Sequence, residues 1–299
     1  MEEQGMVELS KNIKKYCKAE LAQISAWRKE FMLPFSAEEI ELALSLSDAA
    51  DKLWQQHIQD IEDLNRRTTD ELTVWPHKMP ANAHRTSTQE KDKEYKQSIG
   101  SETSAYQRLQ LAMDYWCALW FWPIEEAANL PSRIDFLMDM HQILNSTAQF
   151  QMQGELDFGE PAQQQVQGEL GFHVKPISAI IKESSRLTIV DRVRRQQHFF
   201  HWELSCAHIF HERAGFDLIV GNPPWIKVQF EEADLFSEIE PKILVRSKEY
   251  PADKVGKMIV QYVDEHPAWD PTYVREAANV DASKNMLNAP QAYPHLQGL

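Results

Sequence analysis

Cysteine and glycine are scarce in this sequence, and long apolar runs are missing. The 299 residues include ten glycines and three widely separated cysteines, Cys17, Cys117 and Cys206, with no metal-type Cys-x-x-Cys pair. Sparse, unpaired cysteines are typical of reduced thiols in a reducing compartment. The richest apolar stretch, 115–122, is much shorter than the roughly 18–20 residues that span a bilayer. Because the acidic N-terminus also lacks the pattern of a secretory signal, we expect a soluble cytoplasmic protein.

Positive charge is scarce as well. The formal net charge is -14 at pH 7, whereas neutralising nucleic-acid phosphates needs clustered Lys and Arg. The composition therefore argues against a strong non-specific nucleic-acid binder, although DNA remains a candidate partner if the basic surface lies in another domain.

Apolar side chains are abundant: hydrophobic residues make up 43% of the sequence, with nine Trp and thirteen Phe. Such a chain can bury a sizeable core and is not typical of disorder.

The first half of the sequence predicts helices. Ser36-Ala37-Glu38-Glu39 has the pattern of a capping box, and apolar residues recur near helical spacing after it. These residues are Ile40, Leu44, Leu53, Trp54, Ile58, Ile61 and Leu64. The polar stretch 66–100 predicts a surface excursion or linker. A segment that is apolar around its circumference, 106–122, predicts a central core helix, and Pro131-Ser132 opens a shorter helix.

The domain organisation follows from a change in composition after residue 150. The Gln- and Gly-rich stretch 151–176 predicts a loop or linker. It separates a helical region, 1–150, from a third region, 177–299, which contains the most informative segment of the sequence. In this third region, 255–263 and 273–279 are the clearest candidate helices.

The most informative segment runs from Phe216 to Trp225. An apolar run rich in β-branched residues, 216–220, is ended by Gly221-Asn222-Pro223-Pro224, which predicts a buried strand followed by its stop signal. Two prolines cannot continue a central strand, because they donate no ladder hydrogen bond. Asn222 is therefore expected at the carboxyl end of the strand, the edge where ligands bind in open α/β sheets. The predicted fold class is mostly α with a partial α/β element.

Asn-Pro-Pro followed by an aromatic residue suits one chemical task, the recognition of an exocyclic amine on a base. The lone pair of adenine N6 is delocalised into the ring, which makes this nitrogen a poor nucleophile. The Asn222 side-chain oxygen and the Pro223 carbonyl can accept both N6 hydrogens and favour a more tetrahedral nitrogen. Pro224 holds the turn rigid, since proline fixes φ near −65°. Trp225 offers a face on which a flipped base can stack.

These residues also carry a resemblance to a known family. Gly221 to Trp225 resembles motif IV of N6-adenine DNA methyltransferases. The longer stretch 198–228 is similar to the large restriction-modification methylases of the type IIG kind, through Phe200-His201-Trp202-Glu203-Leu204, Phe210 and Gly215 to Trp225. Asn285-Met286-Leu287-Asn288-Ala289 and Tyr293-Pro294 resemble methylases of the DISARM phage-defence system.

The resemblance implies a fold, a cofactor, a substrate and a site. The fold would include part of a class I methyltransferase sheet, which is Rossmann-like. S-adenosyl-L-methionine would be the methyl donor, and double-stranded DNA with a flipped adenine would be the substrate. Asn222, Pro223, Pro224 and Trp225 would form the catalytic site, in a restriction-modification or phage-defence enzyme.

One element of the family pattern is missing. Such enzymes bind the donor with a Gly-rich turn placed before motif IV, yet the ten glycines here include no Gly-x-Gly. The nearest approach, Gly168-Glu169-Leu170-Gly171, follows no predicted strand. The cofactor-binding residues therefore stay unknown. We interpret the chain as a partial or split methyltransferase, completed by the remainder of the enzyme or by a partner subunit. The alternative is a non-enzymatic helical interaction module or a degenerate methyltransferase fragment.

Several other residues have a chemical and a structural interpretation. His198, His201, His208 and His211, with Cys206 between them, could ligate a metal through pairs spaced three apart. Packed or surface histidines are the favoured interpretation, because aromatic residues crowd the same segment, and no metal is predicted.

Charged residues near the motif have the same two interpretations. Arg192, Arg194 and Arg195 could follow a phosphate backbone, or they could form a solvated helix face, which is favoured. Asp217 could handle a proton, although a structural cap is favoured. Lys227 could approach DNA or simply be exposed, and the sequence leaves this open.

Overall fold

The computed structural model describes residues 11–70, 86–145, 174–222, 235–236, 250–267 and 270–289. Of these residues 77% are helical. The first half contains α1 (Lys11–Tyr16), α2 (Lys18–Phe31), α3 (Ala37–Thr68), α4 (Thr88–Gln97), α5 (Ala105–Ala118), a 3-10 helix (Ile124–Asn129) and α6 (Arg133–Asn145). The second half contains α7 (Ile177–Glu183), α8 (Ser185–Gln197), α9 (Trp202–Ser205), α10 (Ala207–Arg213), α11 (Ala252–Glu265) and α12 (Asp270–Asn288).

Serine N-caps begin several of these helices. The predicted capping box at Ser36 is confirmed: the Ser36 hydroxyl accepts from the Glu39 amide, and the Glu39 carboxylate accepts from the Ser36 amide. The same arrangement joins Ser87 and Glu90 at the start of α4. Such caps satisfy backbone N–H groups that have no partner inside the helix. Local sequence therefore determines where these helices begin.

The buried face of α3 differs in part from the predicted stripe. Ile58, Ile61 and Leu64 are buried as expected, whereas Ile40 and Leu44 are exposed. The first half of the helix instead buries Leu46 and Ala49, which lie on a different side of the helix from Ile40 and Leu44. The predicted buried face is therefore correct only for the second half of α3. In the first half, apolar residues lie on more than one side of the helix, and the spacing alone does not show which side is buried.

The polar stretch 66–100 contains a helix. Helix α4 has no buried residue and lies on α3, to which it is tied by the Arg67–Glu94 and Lys91–Asp70 ion pairs at 3.0 and 2.7 Å. The predicted surface position is confirmed for residues 88–97, which form a helix rather than a linker. A capping box and ion pairs can hold a polar helix that buries little surface.

Three hydrophobic clusters occur in the described residues, and the two larger ones organise the fold. The larger core joins α5 and α6 to α7 and α8, and its fully buried members include Leu111, Tyr115, Trp122, Ile143, Ile180 and Leu187. The smaller core joins α2 and the 3-10 helix to α11 and α12, through Ile24, Ile124, Ile259 and Tyr273. Helices from both sides of the 151–176 stretch thus share each core. Most of that stretch lies outside the described residues, and the division into 1–150, 151–176 and 177–299 stays a prediction.

A buried polar network crosses the larger core. The Tyr115 hydroxyl donates to Asp139 at 2.8 Å, and Arg186 donates to both oxygens of the same carboxylate at 2.8 and 3.1 Å. Burial and the Asp139 carboxylate raise the pKa of Tyr115, so the phenol keeps its proton and remains a donor. Because an unpaired buried charge is costly, this network links α5, α6 and α8 in one arrangement.

Helices α11 and α12 confirm the two candidate helices of the tail. No β-strand occurs in the described ranges, which contain only a single bridge residue at Val174. The mostly helical fold class is therefore confirmed, and the expected piece of a Rossmann-like sheet is not found in this part of the chain. None of the helices in the same ranges is long and apolar enough to cross a membrane.

Candidate functional site

Asn222 lies on the surface, in a segment without regular secondary structure that follows α10. The segment starts after a turn at Ala214 and Gly215, where φ is 59° and 144°. The second value is in a region that favours glycine, which explains glycine at this position. Asn222 is exposed, so the solvent accessibility that a base-binding carboxamide needs is present. Pro223, Pro224 and Trp225, like Lys227, lie outside the described residues, and their predicted roles stay predictions.

The segment before Asn222 is not the buried strand that its sequence predicts. Leu218, Ile219 and Val220 are 78%, 77% and 85% exposed, and the segment has no regular secondary structure. The prediction of a buried strand is wrong for these residues. A strand needs neighbours for its backbone groups and its side chains, and no other strand is present in the described part of the chain. Three consecutive exposed apolar residues therefore lead directly to Asn222.

Four aromatic rings pack beside this segment. Phe210 contacts Phe216 with ring centroids 5.6 Å apart, Trp202 contacts Phe216 at 6.1 Å, and Phe200 contacts Trp202 at 4.9 Å, all close to edge-on. Phe200 and Trp202 are largely exposed. The segment 216–222 thus rests on α9 and α10 through Phe216, while an apolar surface remains open around it.

Helix α9 is tied to the first half of the chain by contacts that sequence reasoning missed. The His57 ring donates from Nε2 to the Leu204 carbonyl at 2.9 Å, and His201 Nε2 donates to Asp114 at 2.8 Å. The Ser205 hydroxyl hydrogen-bonds the Tyr106 hydroxyl. The first two contacts join residues 147 and 87 positions apart, and no motif or spacing in the sequence predicts them.

The histidines between 198 and 211 have separate environments. His198 ends α8 in a left-handed conformation, His201 binds Asp114, and His211 is exposed. His208 has its Nδ1 atom buried without a hydrogen-bond partner in the described part of the chain, as does His57. In the same part of the chain, no three His, Cys, Asp or Glu side chains form a group that could hold a metal ion. His201 anchors α9 and His208 is partly buried, whereas His211 is a surface histidine.

The arginines of α8 are paired with carboxylates. Arg192 binds Glu126 at 3.0 Å, and Arg195 binds Asp191 at 2.8 Å. Hydrogen bonds from Asn129 and Arg192 lower the pKa of Glu126, which keeps this carboxylate charged. Arg194 binds Asp191 at 2.7 Å and approaches Asp114. These pairs favour the structural interpretation of the basic stretch over a track for phosphates.

Asp217 and Cys117 also have structural explanations. Asp217 is exposed and pairs with Arg213 at 3.1 Å, one helical turn away in sequence. This exposed ion pair supports the structural interpretation of Asp217. Burial raises the pKa of the Cys117 thiol to about 11, so this cysteine stays protonated at neutral pH and is a poor nucleophile.

The described glycines provide no cradle for a cofactor. Gly100 follows α4, and a Cβ built there would lie 3.1 Å from the Lys96 Cα, so the position is filled by the chain itself. Gly215, Gly221 and Gly256 stand apart from one another in sequence, and none of them follows a strand. A Gly-rich turn of the kind that binds S-adenosyl-L-methionine is not formed by these residues.

Comparison with known proteins identifies the family. Residues 16–257 match the family model described as Eco57I restriction-modification methylase. No curated protein and no solved structure matches the chain. The match covers far more than half of the sequence, including the larger hydrophobic core and the whole segment that leads to Asn222. The chain therefore belongs to the Eco57I restriction-modification methylase family.

Proposed function

We propose that this chain supplies the adenine-binding element of an N6-adenine DNA methyltransferase, in a restriction-modification or phage-defence system. The observation that supports the proposal is the exposure of Asn222 in a surface segment, in a member of the Eco57I family. A carboxamide that holds a base must be open to solvent before the flipped base arrives. Double-stranded DNA is the proposed partner.

The Asn-Pro-Pro-Trp residues divide the work between holding and orienting the base. The Asn222 side-chain oxygen accepts one N6 hydrogen, and the Pro223 carbonyl accepts the other. Both contacts strengthen as the nitrogen becomes tetrahedral and its lone pair turns outward, which lowers the barrier to attack. Pro224 keeps the turn rigid, and Trp225 replaces the stacking that the base loses on leaving the duplex.

The methyl donor that the family implies is S-adenosyl-L-methionine, which supplies an electrophilic methyl group. The residues that the structure describes do not fit it: the sequence has no Gly-x-Gly, and the described glycines form no Gly-rich turn. We assign no donor-binding residue here. We place the donor loop in a partner polypeptide or in another part of the enzyme.

Substitution of Asn222 tests the proposal. We expect Asn222→Ala, expressed from the native locus, to reduce N6-methyladenine at least about a hundred-fold, because loss of one transition-state hydrogen-bond partner costs about that much. Mass spectrometry of digested nucleosides measures the product, and circular dichroism checks the fold. Asn129→Ala, which removes an exposed carboxamide elsewhere, is the matched control. Full activity of Asn222→Ala, or a product other than N6-methyladenine, would contradict the assignment.

Trp225 tests the stacking role. We expect Trp225→Phe to retain much more methyl transfer than Trp225→Ala, because any aromatic face can stack on a base, and stacking contributes about 1–3 kcal/mol per base. The two variants are compared by steady-state methyl transfer to the same DNA. Equal losses would show that the ring does not act by stacking.

A non-enzymatic interaction module is the second candidate. It is favoured by the exposed apolar run Leu218–Val220 and by the lack of a Gly-rich turn. Titration calorimetry with S-adenosyl-L-methionine separates the two candidates. Binding by the chain, alone or with its genomic neighbours, supports the enzyme, and its absence in both cases supports the module.

A further inference from the structure

Residues 201–205 are held from three directions by helices of the first half of the chain. His57 of α3 binds the Leu204 carbonyl, Tyr106 of α5 binds the Ser205 hydroxyl, and Asp114 of α5 binds His201. We name these three contacts the α9 anchor. Arg194 of α8 lies 3.7 Å from the second oxygen of Asp114, so the carboxylate is shared between two basic side chains.

The α9 anchor is partly buried, since Tyr106, His201 and Ser205 are half-buried. His57 and Asp114 are almost completely inaccessible, and so is Leu204. Buried hydrogen bonds to a carbonyl and a carboxylate have narrow geometry and are not replaced by water when they break. The anchor therefore fixes the position of α9 more tightly than exposed contacts such as Arg213–Asp217 fix the segment beyond it.

A short route leads from the α9 anchor to Asn222. Trp202 is the first residue of α9, and Phe216 packs against it and against Phe210 of α10. Helix α10 also lies against α3. Phe216 is six positions before Asn222, and the residues between them have no strand partner in the described part of the chain. The place of Asn222 thus depends on where α9 and α10 are held.

We propose that His57, Tyr106 and Asp114 are positioning residues for Asn222. The proposal rests on the function proposed above for Asn222. The α9 anchor sets the position of α9, α9 supports Phe216, and Phe216 sets the start of the segment that presents the carboxamide. An error of about 1 Å in the position of a reacting group can cost on the order of a hundred-fold in rate, so loss of the anchor affects the chemical step more than DNA binding.

Hydrogen exchange of the chain itself provides the first test, and it requires no methyl transfer. The amides of Ser205, Cys206 and Phe210 donate to the carbonyls of residues 201, 202 and 206. We expect His57→Leu and Asp114→Ala to raise exchange at these amides at least about ten-fold, while amides of α6 stay unchanged. His57→Gln and Asp114→Asn, which keep a hydrogen-bonding group, should restore most of the protection. Tyr106→Phe is a milder variant with an intact ring.

His211→Leu is the matched control, because His211 is an exposed histidine on α10. The proposal would be overturned if the amides of Ser205, Cys206 and Phe210 exchanged no faster in His57→Leu and Asp114→Ala than in this control. A uniform rise at all amides, including those of α6, would also overturn it, since the three residues would then have a general structural role.

Methyl-transfer kinetics from the native locus provide the second test. We expect His57→Leu and Asp114→Ala to lower kcat at least ten-fold with a change of less than two-fold in KM for DNA, and the conservative variants to recover kcat. Equal changes in both parameters, or no loss of kcat, would overturn a positioning role. If Asn222→Ala is fully active, the proposed function fails, and the exchange experiment still determines whether the α9 anchor holds α9.

Discussion

His57 is the residue whose environment makes the clearest prediction about pH. It is buried between α3, α5 and α9, and only its Nε2 atom has a hydrogen-bond partner in the described part of the chain. Burial lowers the pKa of His57, and the nearby His208 of α10 acts in the same direction. The Leu204 carbonyl and Asp60, one turn further along α3, raise it, and the neutral Tyr106 ring packs 5.2 Å away.

A lowered histidine pKa makes the protein less stable in acid. Between the lowered folded pKa and the unfolded value of about 6.5, the unfolded chain binds more protons, so the free energy of unfolding rises with pH. We expect the free energy of unfolding to fall as the pH drops below the pKa of the unfolded chain and then through the pKa of the folded chain. In His57→Gln, it should fall less steeply. Urea unfolding between about pH 5 and 8 measures the difference.

The control for this pH dependence is His211→Gln, because His211 is exposed. The free energy of unfolding of this variant should depend on pH as steeply as that of the parent chain. The same pH dependence in the parent chain, His57→Gln and His211→Gln would mean that the pKa of His57 does not change on unfolding, and that other groups cause the acid sensitivity.

At the scale of elements, two identical caps allow a matched comparison. Ser36 and Ser87 each form a capping box, but α3 buries seven residues and α4 buries none. Glu39 of the first box is itself buried and binds Arg133 at 3.0 Å, whereas Glu90 is exposed. The same local motif therefore has different tertiary support at the two positions.

We expect Ser36→Ala to lower the free energy of unfolding by about 1–2 kcal/mol, the upper range for a lost N-cap. Ser87→Ala should change it by less than about 0.5 kcal/mol, because α4 can fray without exposing a core. Urea denaturation of the two variants measures both values. Equal losses would indicate that α4 unfolds only together with the whole molecule.

The segment 216–220 illustrates the limit of element prediction. Its β-branched and apolar residues predict a buried strand, and the structure places them on the surface. A helix satisfies its hydrogen bonds within its own segment, whereas a strand depends on a neighbour that its own sequence does not encode. Helices such as α3, α6, α11 and α12 were therefore predictable, and the state of this segment was not.

At the scale of the molecule, the two halves of the chain share their cores. Leu111 and Ile143 from the first half pack in one cluster with Ile180 and Leu187 from the second. Arg108 donates to the carbonyls of Ile143 and Lys175 at 2.7 and 2.8 Å, and thus joins a helix before the predicted linker to the last residues of that linker. The described helices of the two halves therefore depend on each other.

This arrangement predicts that the chain tolerates a cut between its halves. We expect a protease site inserted within 151–173 to be cleaved without separating the two pieces, which should elute together in gel filtration. Leu187→Asp places a charge in the shared core, where burial of an unpaired charge is costly, and it should release the pieces. Separation of the pieces without this substitution would contradict the shared core and support independent domains.

The sequence by itself determined the start of α3, several of the helical segments and the candidate site at Asn222. Capping boxes, helical spacing and the Asn-Pro-Pro-Trp motif are local patterns, and each has its physical cause within a few residues. The tertiary structure alone decided which face of α3 is buried, that the segment before Asn222 is exposed, and that His57 and Asp114 hold α9. These features depend on contacts such as those across 147 and 87 residues, and contacts between distant segments leave no periodic pattern in the chain.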